Sequence, residues 1–137
     1  MKPIEILLIE DNPADAKLTV EALRETAILN HLTVVQDGVE ALAFLRREGQ
    51  HATAPVPDLI LLDLNLPCIG GVELLDELQA DSQLRQIPAV VLTGSVDADE
   101  RAELEKRNIF RYILKPSDLD VYIDAIRSLL DDFHPQS

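Results

Sequence analysis

The chain contains no tryptophan and only two tyrosines and three phenylalanines. Base-stacking platforms and aromatic ligand cages need more π surface than that. Cysteine is nearly absent too. Cys68 stands alone, which excludes an internal disulfide and fits a reducing compartment. Positive charge is scarce, with 12 Lys and Arg against 25 acids and a formal net charge of -13. A chain so acidic repels nucleic acid and anionic membranes, so neither is expected as a partner. The excess of acid serves either solubility or an acidic docking surface. No run of eighteen apolar residues and no signal-peptide pattern is present, so a cytoplasmic protein is expected. A Gly-rich phosphate loop is also missing, and no bound nucleotide is expected. What remains is ample apolar residue, 47% of 137 positions, enough for the core of one domain.

Strand and helix signals alternate along the whole length. Ile4 to Ile9 reads as a strand, and Asn12-Pro13 opens a helix, with Asn12 as cap and Pro13 at the first helical position. That helix is expected to run to about Thr26 with Ala16, Val20, Leu23 and Ala27 on one face. His31 to Val35 is a second strand, and Gly38 to Arg47 a helix closed by Gly49. Residues 50–57 carry Pro55 and Pro57 and read as a long loop. Leu59 to Leu62 is a strand apolar on both faces, as in a parallel sheet, and so belongs at its centre. Gly71 to about Ala80 is the third helix, Pro88 to Leu92 the fourth strand, and Ala98 to Arg107 a helix with a thin apolar face. Phe110 to Leu114 is a short fifth strand. Leu119, Tyr122, Ile123, Ile126, Leu129, Leu130 and Phe133 mark the last helix. Five βα units make a doubly wound α/β domain with a parallel sheet, and no second domain is expected after it.

In such a sheet every strand ends on one rim, where ligands bind. The first strand delivers Glu10 and Asp11, the third Asp63, the fourth Thr93-Gly94-Ser95 and the fifth Lys115-Pro116. Taken singly, each has a plain structural reading. The acids suit a helix N-terminus, Asp63 a turn, Thr93 a strand end, and Lys115 a solvated surface. Cys68 reads as a small loop filler, and His31, His51 and His134 show no ligand spacing. Joint placement on successive strand ends argues against coincidence. Converging carboxylates repel one another unless a hard cation joins them, and Mg²⁺ fits that donor set. The backbone carbonyl of Asn65 is placed to complete it. A carboxylate can attack phosphorus to form an aspartyl phosphate, with a lysine and a hydroxyl meeting the phosphoryl oxygens.

These residues resemble the receiver domain of two-component response regulators over about Ile4 to Phe133. The resemblance implies a flavodoxin-like (βα)5 fold with strand order 2-1-3-4-5. It implies phosphorylation of Asp63 by a histidine kinase or a small phosphodonor, with Mg²⁺ (or Mn²⁺) held by Asp11, Asp63 and Asn65 and assisted by Glu10. Lys115 is expected on the phosphoryl group, with a cis bond to Pro116. Thr93, followed by small Gly94, is expected to move toward the phosphoryl oxygen and let Tyr112 rotate inward. Asn12 and Ser95 flank the site and bear on hydrolysis. The segment 10–15, the long 46–57 connection and Leu64-Asn65-Leu66-Pro67 are similar to single-domain regulators paired with phytochromes, which implies a phytochrome kinase as partner. Cys68-Ile69-Gly70-Gly71 departs from the family in lacking charged residues before the last glycine.

With no output domain expected, the signal is expected to pass by binding. The surface of the fourth helix, fifth strand and last helix offers Arg101, Glu105, Arg111 and Tyr122 for a symmetric homodimer. Three rivals share parts of this pattern. A flavodoxin-like FMN binder needs a phosphate loop where this chain has two acids. An Asp-nucleophile phosphatase places its nucleophile on the first strand and turns over rapidly. A pseudo-receiver acting only as an interaction module has no need of the full residue set.

Overall fold

The computed structural model of the chain describes residues 3–26, 28–64, 66, 68–94, 98–107, 109–115 and 118–133. Strands β1 (Ile4–Ile9), β2 (Asn30–Val35), β3 (Leu59–Asp63), β4 (Ala89–Thr93) and β5 (Arg111–Leu114) alternate with five helices. These are α1 (Pro13–Arg24), α2 (Gly38–Leu45), α3 (Gly71–Ala80), α4 (Ala98–Glu105) and α5 (Leu119–Asp132). The strands form one parallel sheet in the order β2-β1-β3-β4-β5. This is the doubly wound topology expected from the sequence.

The period-2 geometry of a strand divides the apolar runs between two cores. Ile6 and Leu8 of β1, Leu59 and Leu61 of β3, and Val90 and Leu92 of β4 face α1 and α5, against Ala22, Leu23, Tyr122, Ile126 and Leu129. Their neighbours Leu7, Ile9, Ile60, Leu62 and Val91 face α2, α3 and α4, against Leu42, Phe44, Leu74, Leu75 and Leu104. β3 is buried at every position because both faces are covered. The edge strands β2 and β5 are only partly buried, in keeping with their polar residues.

Caps set the helix starts. Asn12 Oδ1 accepts from the backbone N–H groups of Ala14 and Asp15, and Asp37 and Asp118 cap α2 and α5 in the same way. Several expected boundaries and faces shift. α1 stops at Arg24, and its buried stripe is Thr19, Ala22 and Leu23; Ala27 lies outside the described residues. α4 ends at Glu105. α2 closes not at Gly49 but at Arg47, whose φ of 55° is left-handed. There Arg47 N–H reaches the carbonyl of Phe44 and Glu48 N–H that of Ala43, a Schellman closure. The Arg47 guanidinium bonds the Ala54 carbonyl at 2.8 Å, so tertiary contact supports a conformation that local propensity disfavours. A short 3₁₀ turn at Gly49–His51 gives order to the start of the connection read as plain loop, and another lies at Leu84–Gln86.

Candidate functional site

Glu10 and Asp11 follow β1, Asp63 ends the adjacent β3, Thr93 ends β4, and Lys115 follows β5. Parallel register makes these positions neighbours: Ile9 pairs with Leu62, Asp63 with Leu92, and Thr93 with Leu114. Carboxylate oxygens of Glu10, Asp11 and Asp63 all lie within 4.8 Å of one another, and these three are a group able to hold a metal ion. Glu10 and Asp63 are buried while Asp11 is exposed, so the cluster opens to solvent on the Asp11 side.

Lys115 reaches into this cluster with its side chain only 9% exposed. Its Nζ donates to Glu10 Oε1, to Asp15 Oδ2 at 3.1 Å and to Asp63 Oδ2 at 3.4 Å. Its backbone N–H also donates to the Thr93 carbonyl at 2.7 Å, which ties the chain after β5 to the end of β4. Burial pulls the Lys115 ammonium down, but its hydrogen bond to Glu10, the charges of Asp63 and Glu10, and its hydrogen bond to Asp15 outweigh it. The amine is held above the ordinary lysine value. Burial, followed by contact with Asp63, pushes Glu10 up to about 7 against the pull of Lys115. Glu10 Oε2 is buried with no hydrogen-bond partner among the described residues. A buried carboxylate oxygen left this way is costly unless a proton or a cation meets it. The donor set is all oxygen, which suits a hard divalent cation.

The other expected residues sit as follows. Thr93 is fully buried at its strand end. Gly94 is exposed, and a side chain there would meet nothing within 4 Å among the described residues. Tyr112 is half-buried under the Arg101 guanidinium, 5.6 Å from the ring centroid. Asn65, Ser95 and Pro116, with the expected cis bond, lie outside the described residues.

The expected dimer surface needs one correction. Tyr122 is 0% exposed and belongs to the core between α1 and α5, where its hydroxyl meets Thr19 Oγ1 at 2.8 Å. Thr19 provides the polar partner that lets a tyrosine be buried whole. Arg101 pairs with Glu105 and Arg111 with Asp132 within the chain.

Two residues at the site were missed by the sequence reading. Asp15 touches Lys115 from α1, and its position one turn after Asp11 was the available signal. Gly71 begins α3 against the end of β3. A Cβ there would stand 2.6 Å from Leu64 Cα and 3.0 Å from the Asp63 carbonyl oxygen. Only glycine admits that approach, and Gly71 N–H seals it on the Leu64 carbonyl at 3.0 Å.

A family profile described as the response regulator receiver domain matches residues 6–127. Response regulator Rcp1 of Synechocystis is 40% identical over 117 residues, covering 85% of this chain and 80% of its own length. The crystal structure of the phosphorylated cyanobacterial phytochrome response regulator RcpA aligns with a TM-score of 0.91 at 38% identity, covering 99% of this chain and 100% of that one. The Mn²⁺-bound structure of Rcp1 aligns at 0.89 with 34% identity, covering 98% of this chain and 100% of that one. A histidine-kinase receiver from Pseudomonas aeruginosa, with magnesium in its active-site cleft, aligns at 0.73 with 25% identity, covering 96% and 100%.

Proposed function

Since the chain belongs to the response regulator receiver family, we propose that Asp63 is its phosphoacceptor, charged by a histidine kinase or a small phosphodonor. It is the convergence of Asp63 with Glu10, Asp11 and the Lys115 ammonium that supports this role. A lone pair on Asp63 attacks phosphorus and a new P–O bond forms. The bond to the donor breaks, and the leaving group departs with the electron pair. No general base is needed, because an ionised carboxylate carries no proton to remove.

Glu10, Asp11 and Asp63, with the Asn65 carbonyl, are the residues that would hold Mg²⁺ or, alternatively, Mn²⁺. When bound, the cation offsets the charge gathered on the carboxylates and the phosphoryl oxygens. Support comes from the unpartnered Glu10 Oε2 and from the manganese and magnesium found in the related receivers. Lys115 and Thr93 then bond phosphoryl oxygens, small Gly94 follows Thr93 at the rim, and Tyr112 turns inward as the state shifts. The Lys115–Pro116 bond is proposed to be cis.

The kinase is proposed to be a phytochrome, on the strength of the likeness to RcpA and Rcp1. The protein acts in the cytoplasm as a signalling element, and its own chemistry is limited to receiving the phosphoryl group and slowly losing it. The net charge of -13 argues against nucleic acid or anionic membrane as partner, and among the described residues no helix is long and apolar enough to cross a membrane. Output passes through the surface of α4, β5 and α5, and a homodimer there would exchange the intrachain pairs of Arg101, Glu105 and Arg111 for pairs with the second copy. Exposed Leu114, Leu119 and Val121 add apolar area on the same elements.

Incubation with Mg²⁺ and acetyl phosphate followed by intact mass tests the assignment. Wild type is expected to gain one phosphoryl group and Asp63→Asn none. A wild type of unchanged mass would return the chain to the pseudo-receiver reading.

A further inference from the structure

The Lys115 ammonium has three N–H bonds, and three carboxylates already accept from it. Two of the three, Glu10 and Asp63, also belong to the cluster fit for a cation; Asp15 does not. Asp15 also lies nearer to Nζ than the acceptor does, at 3.1 Å against 3.4 Å. A phosphoryl oxygen arriving on Asp63 inherits at most the long Asp63 bond from Lys115 unless Glu10 or Asp15 gives up its own. Glu10 is fully buried and already has one oxygen without a partner, so losing the lysine there would strand the other. The Asp15 side chain is 41% exposed, and water can take the place of the ammonium at little cost.

Resting on Asp63 as phosphoacceptor, we propose that Asp15 is a positioning residue that competes with the acceptor for the Lys115 ammonium until a phosphoryl group draws it away. It sets a threshold for phosphorylation. The start of α1 is held firmly in place. Asn12 caps it beside the acids, and Thr19 Oγ1 bonds the Asp15 carbonyl at 3.2 Å. The Asp15 carboxylate therefore stands on a braced turn and not on a free loop.

Calorimetric titration with beryllium fluoride, a stable mimic of the phosphoryl group, at saturating Mg²⁺ tests the proposal. Asp15→Asn is expected to bind the mimic about three- to fivefold tighter than wild type, the range of a partly exposed ion pair. Asp15→Glu, which restores the competitor, is expected to return affinity toward wild type. The gain in Asp15→Asn should persist in about 0.5 M NaCl, where long-range charge effects are screened. An affinity equal to or weaker than wild type, or a gain that vanishes in salt, would overturn the role of Asp15 while leaving Asp63 as acceptor. Failure of wild type to bind the mimic at all would overturn the acceptor assignment and this proposal with it. Thermal melting of both variants guards the comparison, since a half-exposed side chain is replaced without disturbing the core.

Discussion

Tyr122 shows how one side chain can carry both packing and polarity. Thr19 Oγ1 donates to the Asp15 carbonyl, so Tyr122 is left to donate to Thr19, and both hydroxyls are satisfied inside the core. Burial, opposed by Thr19, raises the phenol above its ordinary value of 10.0. A raised acid means that the unfolded chain ionises first. The stability linked to Tyr122 is complete below pH 10 and is lost as pH climbs through the raised value. Tyr122→Phe is expected to cost about 1 kcal/mol at pH 7, the worth of one hydrogen bond, because Thr19 keeps its carbonyl partner. Above pH 10 the deficit should narrow, since the variant has no phenol to ionise; urea titrations at pH 7 and about 10.5 would measure both. The residue also marks a limit of sequence reading. Its helical spacing already placed it among buried neighbours, yet its hydroxyl invited a surface role, because Thr19, 103 positions away, is not adjacent in sequence. Asp15 was overlooked for the same reason: the lysine that gives it meaning arrives from beyond β5.

At the scale of elements, the junction of β3 and α3 is the tightest feature near Asp63. Ala in place of Gly71 must displace the backbone of Leu64 and Asp63, and overpacking against backbone outweighs the gain in helix propensity. Gly71→Ala is expected to lose about 2 kcal/mol in urea unfolding, with slower phosphorylation as Asp63 is moved. Gly70→Ala is the control. A side chain there meets nothing among the described residues and φ is -65°, so it should lose no more than about 1 kcal/mol, the difference between Gly and Ala at an N-cap. Strong local signals made most elements legible: the apolar run of β3, the Asn12-Pro13 start of α1, and the 3-4 spacing of α5. The Arg47 closure was not, because the Ala54 carbonyl that supports it comes from beyond the next turn. The 3₁₀ turns were not, because each rests on a few local backbone bonds with no strong residue signal. The phase of α1 was misjudged because Thr19 takes an inward position that hydrophobicity alone gives to Val20.

At the scale of the whole molecule, strand order and rim positions followed from alternation of elements and from the right-handed crossover rule. That is why the convergence of Glu10, Asp11, Asp63 and Lys115 was readable from the sequence. The output face is less determined by sequence. Arg111, expected to face a partner, is engaged by Asp132 within the chain, and nearby Arg107 forks onto Asp76 of α3 at 2.8 and 3.1 Å. If phosphorylation drives homodimerisation through α4, β5 and α5, sedimentation velocity should show a larger species with beryllium fluoride and Mg²⁺ than without. A monomer under both conditions would rule it out. The missing tryptophan has a practical side as well. With two tyrosines as the longest-wavelength chromophores, Tyr122 is buried in the core and Tyr112 sits half-covered beneath Arg101 on the face proposed to switch. If Tyr112 turns inward on phosphorylation, tyrosine emission is expected to change with it while Tyr122 stays buried, so the state of the domain can be read with no label attached.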